Sequence, residues 1–302
     1  GVSLGGRRVL AEISLTVPEG ALAVFVGPSG AGKSTLLKTV NRMVETTEGS
    51  VRVRGKDVRD FDPVRLRRSI GYALQSTGLF PHRSVADNVA TVPRLLGRPE
   101  GEVADRVAAM LRLVHLDPAE FGPRRPSSLS GGQAQRVGIA RALAGDPDLL
   151  LMDEPFGAVD PITRRALRAE LRRIHRETGK TILFVTHDPT EALDLADLLV
   201  VLQDGRMVAA GPPADLARVR QGFVADLLGP DRALRLLSGR RVREVAHPAP
   251  PAAGAPAVAA EDSLAEALSR MLIHGVRQLA VHDETGRVTG SVAWDSLLEA
   301  GP

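Results

Sequence analysis

The chain has no cysteine among its 302 residues, which removes disulfides, thiolate metal sites and thiol nucleophiles from consideration. Aromatic residues make up only 3% of it, with Trp294 and Tyr72 each alone of their kind, so a base-stacking platform has little to be built from. Lysine is scarce too, four residues against 35 arginines. Because the arginines are interleaved with Asp and Glu, the net charge is only +3, and no clustered basic face marks a nucleic-acid partner. No apolar run approaches the roughly 18 to 20 residues needed to cross a bilayer. The first residues lack the charged start, apolar stretch and cleavage site of a signal peptide. A cytosolic chain is therefore expected, meeting a membrane only through a partner. It opens on Gly1 and not on methionine, so a few residues are expected to precede it.

What is present is a periodic α/β pattern. The length suits one large domain and a small one. Short apolar runs recur at ALAVFV (21 to 26), DLLLM (148 to 152), TILFV (181 to 185) and DLLVVL (197 to 202), with helix-period segments between them. Continuous apolar strands alternating with helices imply a parallel sheet covered on both faces. Between 76 and 147 the strand signal gives way to a helical one, in which Val103, Val107, Met110, Leu111 and Val114 share a face. After 228 the composition shifts. HPAPPAAGAPAVAA (247 to 260) reads as a linker too poor in large apolar residues to pack a core, followed by helix, strand, a turn at DETG, strand and helix. In the helix ITRRALRAELRRIHRE, Arg164, Arg168 and Arg172 are expected on a solvated face and Ile162, Leu167, Leu171 and Ile174 on the buried one.

Chemistry concentrates at three places. GPSGAGKST matches G-x-x-x-x-G-K-[ST] between a strand and a helix. Its glycines let successive amides turn inward around a phosphate at the positive end of the helix, Lys33 adds a point charge, and Ser34 offers a hydroxyl to Mg²⁺. LLLMDEP ends a buried strand in two carboxylates, where open α/β sheets bind ligands; Asp153 suits a Mg²⁺ ligand and Glu154 an acceptor for a proton from attacking water. ILFVTHD puts His187 at another strand end. A second glycine-rich loop, LSGGQAQR (129 to 136), has no lysine. By itself it is a site for a second ligand, a turn before a helix, or a wall of a site that the first loop only half builds.

GPSGAGKST, LSGGQAQRVGIARAL, LLLMDEPFGAVD and FVTHD, in this order and with Gln75 of IGYALQ between the first two, resemble the ATP-binding subunit of an ABC transporter over residues 1 to about 228. The resemblance implies a P-loop NTPase core with a helical subdomain. In it Gly27, Pro28, Ser29, Gly30, Ala31, Gly32, Lys33, Ser34 and Thr35 grip ATP, and Ser34, Gln75 and Asp153 hold Mg²⁺. Ser130, Gly131, Gly132 and Gln133 would be the signature loop, Asp160 the D-loop residue, Glu154 the general base, Gln75 the Q-loop residue that couples to a membrane partner, and His187 the switch residue on the γ-phosphate. Leu4 stands where the family usually places an aromatic to stack on adenine. One lysine, one serine and one acidic pair suffice for one ATP, so LSGGQAQR is read as the missing wall of a site in a second copy.

Residues 62 to 97 are similar to the ATPases of importers for glycine betaine, choline, carnitine or proline betaine. Residues 241 to 300 resemble one CBS motif, a small α+β element which would have to pair across a homodimer to make a ligand site. The implied partners are a second copy, transmembrane permease subunits and, indirectly, an extracytoplasmic solute-binding protein, with no nucleic acid. The implied place is peripheral, on the cytoplasmic face of the plasma membrane. An amino-acid importer, a soluble ABC ATPase acting on nucleic acid or ribosomes, and a chiefly regulatory binding module are the competing readings.

Overall fold

The computed structural model describes residues 1–74, 78–157, 159–252 and 254–300. The chain divides into two compact units, Gly1–Asp188 with Leu195–Ala210, and Pro189–Asp194 with Gly211–Pro302.

The first unit is built on a six-stranded sheet in the spatial order Arg206–Gly211, Leu198–Gln203, Leu22–Val26, Thr181–Thr186, Leu149–Asp153, Ile70–Ala73. The five strands from Leu198–Gln203 across to Ile70–Ala73 run parallel. All five residues of Leu22–Val26 are buried, as a strand with parallel neighbours on both edges and cover on both faces requires. The four apolar runs expected as strands occupy the sheet centre. The two outermost strands, Ile70–Ala73 and Arg206–Gly211, are shorter in apolar content or alternate between exposed and half-buried residues. On one face Phe25, Leu37, Leu66, Leu151, Val185 and Val200 form a core against which Tyr72 packs.

The helical segment comprises Val85–Leu95, Glu100–Leu113, the single turn Pro118–Phe121 and Gly131–Ala144. Its expected apolar face is found: Val103, Val107, Met110, Leu111 and Val114 are all buried. In the helix Pro161–Thr178, Leu167, Leu171 and Ile174 are buried. Ile162 is 85% exposed and the three arginines are half-buried, so both parts of that expectation need correcting. Ile162 lies five residues before Leu167, about 140° around the helix, whereas Arg164 lies seven residues before Leu171 and shares its face.

The second unit carries a three-stranded sheet in which Ala257–Ala259 pairs parallel, and Val288–Ala293 antiparallel, with the central Gln278–His282. The helix Leu264–His274 starts with a reciprocal capping box between Ser263 and Glu266 and ends at Gly275. The turn between the last two strands is held by Asp283, whose Oδ1 accepts from Thr285 N and Arg287 N. Val242, Val258, Leu264, Met271, Leu279 and Val292 form the core, with Trp294 packed on it. The Ala/Pro-rich stretch is therefore more than a linker. Its end supplies a strand with Val258 fully buried, and His247 bridges to Ser291.

Candidate functional site

The phosphate loop leaves the C-terminal end of Leu22–Val26 and enters the helix Lys33–Val40, whose first residue follows Gly32 without a side-chain cap. The amides of its first turn are thus left pointing out of the helix start, as an anion site requires. Gly27 is a packing necessity: a Cβ there would lie 2.1 Å from the Leu202 carbonyl oxygen of the neighbouring strand. Gly27 and Ala31 are buried, Pro28, Ser29 and Gly30 exposed, and Ser34 and Thr35 half-buried. Lys33 is only 5% exposed, and its Nζ donates to the carbonyls of Gly27 and Pro28, 2.8 Å each. Burial pulls its ammonium below the usual lysine range, while the charges of Glu154 and Asp153 pull the other way.

Parallel register carries the remaining groups to the same edge. Val26 pairs with Thr186, and Asp153 with Val185. Ser34 Oγ donates to Asp153 Oδ1 at 2.7 Å, which joins the phosphate loop to the acidic strand end. Glu154 continues the ladder through its N–H to Val185 O at 2.9 Å. Its backbone then turns into the left-handed region, φ 46°, a strained conformation for a non-glycine residue that is found disproportionately at active sites. Its Oε2 lies 3.0 Å from Nδ1 of the half-exposed His187. Lys33, Ser34, Asp153, Glu154 and His187 are therefore brought together; Gln75 lies outside the described residues.

The oxygen pair Ser34–Asp153 fits a hard divalent cation such as Mg²⁺, which takes few protein ligands and completes its shell with phosphate oxygens and water. Among the described residues no group of three or more His, Cys, Asp and Glu side chains is arranged to hold a metal without such help.

The signature residues are organised differently. Ser130 Oγ accepts from Gln133 N, and Gln133 Oε1 accepts from Ser130 N, so the polar contacts of this pair close on each other and fix the start of a 14-residue helix. A Cβ on Gly132 would lie 2.6 Å from Thr163 Cγ2, which sets the signature helix close against the start of Pro161–Thr178. Asp160 caps that second helix through Thr163 N, 3.0 Å, and this hydrogen bond holds its carboxyl below the usual range. Leu4 is 47% exposed on the first strand.

Two residues near the site were not expected there: Tyr72 had no role assigned, and Arg164 was expected on a solvated face. Tyr72 stands opposite Leu151, two residues before Asp153 and hence on the same sheet face. Burial and then the Asp153 charge push its phenol up to about 12. Arg164 contacts both Val159 and Asp188. Strand register would have revealed the first and helical phase the second.

A family model described as "ABC transporter" matches residues 10–157. The glycine betaine uptake system ATP-binding protein of Escherichia coli (strain K12) is 44% identical over 296 residues, 97% of this chain and 96% of that protein. A carnitine transport ATP-binding protein of Listeria monocytogenes is 41% identical over 290 residues, 95% of this chain and 72% of that protein. Among solved structures, a dimeric ATP-binding cassette in a post-hydrolysis state with ADP and Pi bound is similar at a TM-score of 0.60 and 33% identity, covering 68% of this chain and 90% of that one.

Proposed function

Because the chain belongs to the ATP-binding subunits of ABC transporters, we propose that it powers import of a betaine-type osmoprotectant, working as a pair of copies beneath permease subunits. It is an ATPase of that family, and the assignment of roles within it is our reading. Lys33 and the amides of the phosphate loop hold the β and γ phosphates, since a buried ammonium beside an uncapped helix start favours concentrated negative charge. Ser34 and Asp153, with Gln75, would hold Mg²⁺, which when bound neutralises the phosphate oxygens. Glu154 takes a proton from the attacking water, and His187, 3.0 Å away, orients that carboxylate. Ser130, Gly131, Gly132 and Gln133 close over the ATP of the second copy, with Asp160 at the seam.

The observation that carries the choice of solute is the extent of similarity. The likeness to the glycine betaine protein runs through the second unit as well as the cassette, and a transporter-specific appendage tracks its transporter more closely than the shared phosphate machinery does. No helix among the described residues is long and apolar enough to cross a membrane, so attachment through a permease is part of the reading, as is a peripheral place on the cytoplasmic face. Residues 1–228 are taken as the ATP-binding domain and 229–302 as linker with one CBS-like motif. The test is uptake of labelled glycine betaine after salt shock in a strain lacking this chain. Uptake lost and restored by the wild type, but not by Glu154→Gln, is the expected result. Unchanged betaine uptake with loss of amino-acid uptake would replace the substrate.

A further inference from the structure

The helix Pro161–Thr178 carries a side chain that joins two loops of the site. Arg164 Nη2 donates to Val159 O at 3.0 Å, one residue from Asp160. Its Nη1 lies 3.5 Å from Asp188 Oδ2, one residue from His187. Both ion-pair partners are only about a quarter exposed, 26% and 25%, so solvent screens the pair less than a surface bridge. Asp188 is itself held in place, its N–H donating to Thr186 Oγ1 at 3.0 Å. The opposite end of the connection is His187 against Glu154 at 3.0 Å. A guanidinium suits such a bridge because its planar fork reaches a carbonyl and a carboxylate at once, which the single ammonium of lysine does less well.

We infer that Arg164 is a positioning residue that ties the Asp160 segment to the His187 segment, so that docking of a second copy against Asp160 sets the placement of His187 on Glu154. This rests on the two-copy reading given above. It also accounts for the other contacts of that helix start, which meets the partner-facing signature helix through Thr163 and Gly132 and is capped by Asp160 itself. Movement of either loop is passed to a rigid helix end and not to a free strand of chain.

The experiment compares wild type, Arg164→Met, Arg164→Lys, Asp188→Asn and the Arg164→Met/Asp188→Asn double variant. Steady-state ATPase against ATP concentration, affinity for a fluorescent ATP analogue and melting temperature are measured for each. Arg164→Met is expected to lower kcat about tenfold, the scale of one lost charge-assisted hydrogen bond, and to bring the Hill coefficient toward 1. ATP affinity and melting temperature stay close to wild type, Arg164→Lys recovers part of kcat, and the double variant is no worse than Arg164→Met alone. Wild-type kcat and cooperativity in Arg164→Met would overturn the coupling, as would losses that add fully in the double variant, or a fall in kcat that merely follows a fall in melting temperature. A wild type that hydrolyses ATP without cooperativity overturns the two-copy reading together with this one, whereas a cooperative wild type beside an unaffected Arg164→Met overturns the coupling alone.

Discussion

At Glu154 a carboxylate is presented by a left-handed backbone turn to His187, 3.0 Å away. Replacing it by Gln keeps the size and removes the proton acceptor, so Glu154→Gln is expected to bind ATP as the wild type does and to lose roughly 10²-fold or more in turnover, the usual scale for a general base. Single-turnover hydrolysis beside nucleotide binding checks it, and near-normal turnover would remove Glu154 from the role. Tyr72 gives a second test at this scale, and it is the only tyrosine. Its phenol, pushed up to about 12 by burial and then by the Asp153 charge, exceeds the ordinary value near 10. The folded state thus keeps a proton that the unfolded chain gives up, and stability should fall as pH rises from about 10 to 12. Ultraviolet titration of tyrosinate reads it directly. In Asp153→Asn the transition should move down only part of the way, because burial is the larger cause. Lys33, Ser34, Asp153, Glu154 and His187 were legible because each sits in a short motif at the end of an apolar run, and parallel pairing leaves one edge for all of them. Tyr72 was not, because its neighbour Asp153 is set by strand register and not by sequence distance.

Elements divide between those whose pattern is complete in itself and those completed by a neighbour. Leu22–Val26 is apolar throughout, and Thr181–Thr186 and Leu198–Gln203 are apolar apart from their end residues, because both faces are covered. Arg206–Gly211, at the sheet edge, alternates and gives no such run. Val258 was hidden in an Ala/Pro-rich stretch, where a three-residue strand borrows its order from Gln278–His282. In the helix Pro161–Thr178 the interrupting Glu170 and Glu177 and the apolar residues turned the other way suggested a solvated arginine stripe, yet the phase that buries Leu171 also carries Arg164 inward. The signature helix offers a test of its own. Ser130 caps it, and Ser130→Arg places a bulky cation where the second copy's phosphate is proposed to lie. The cap loss alone should cost about 1 kcal/mol, visible as a modest drop in melting temperature. Cooperative hydrolysis should vanish while ATP still binds to the single chain; cooperative hydrolysis unchanged from wild type would return LSGGQAQR to a turn.

The whole molecule separates its nucleotide chemistry from its C-terminal unit, each with a core of its own. All the residues placed at the phosphate site belong to the first unit, so a chain ending at Gly239 is expected to hydrolyse ATP at a rate within a few-fold of the full chain and to lose only regulation; measuring ATPase across a range of ionic strength distinguishes the two. Loss of all ATPase in a soluble, folded truncation would instead make the second unit part of the engine. The scarcity of aromatic residues has a practical side here. The single indole, Trp294, packs in the second unit and the single phenol, Tyr72, in the first. Indole fluorescence, excited beyond the phenol's absorption band, therefore follows the C-terminal module, and tyrosinate absorbance at alkaline pH follows the cassette. One unlabelled sample, heated once and read by its indole emission, yields a melting curve that belongs to the C-terminal unit.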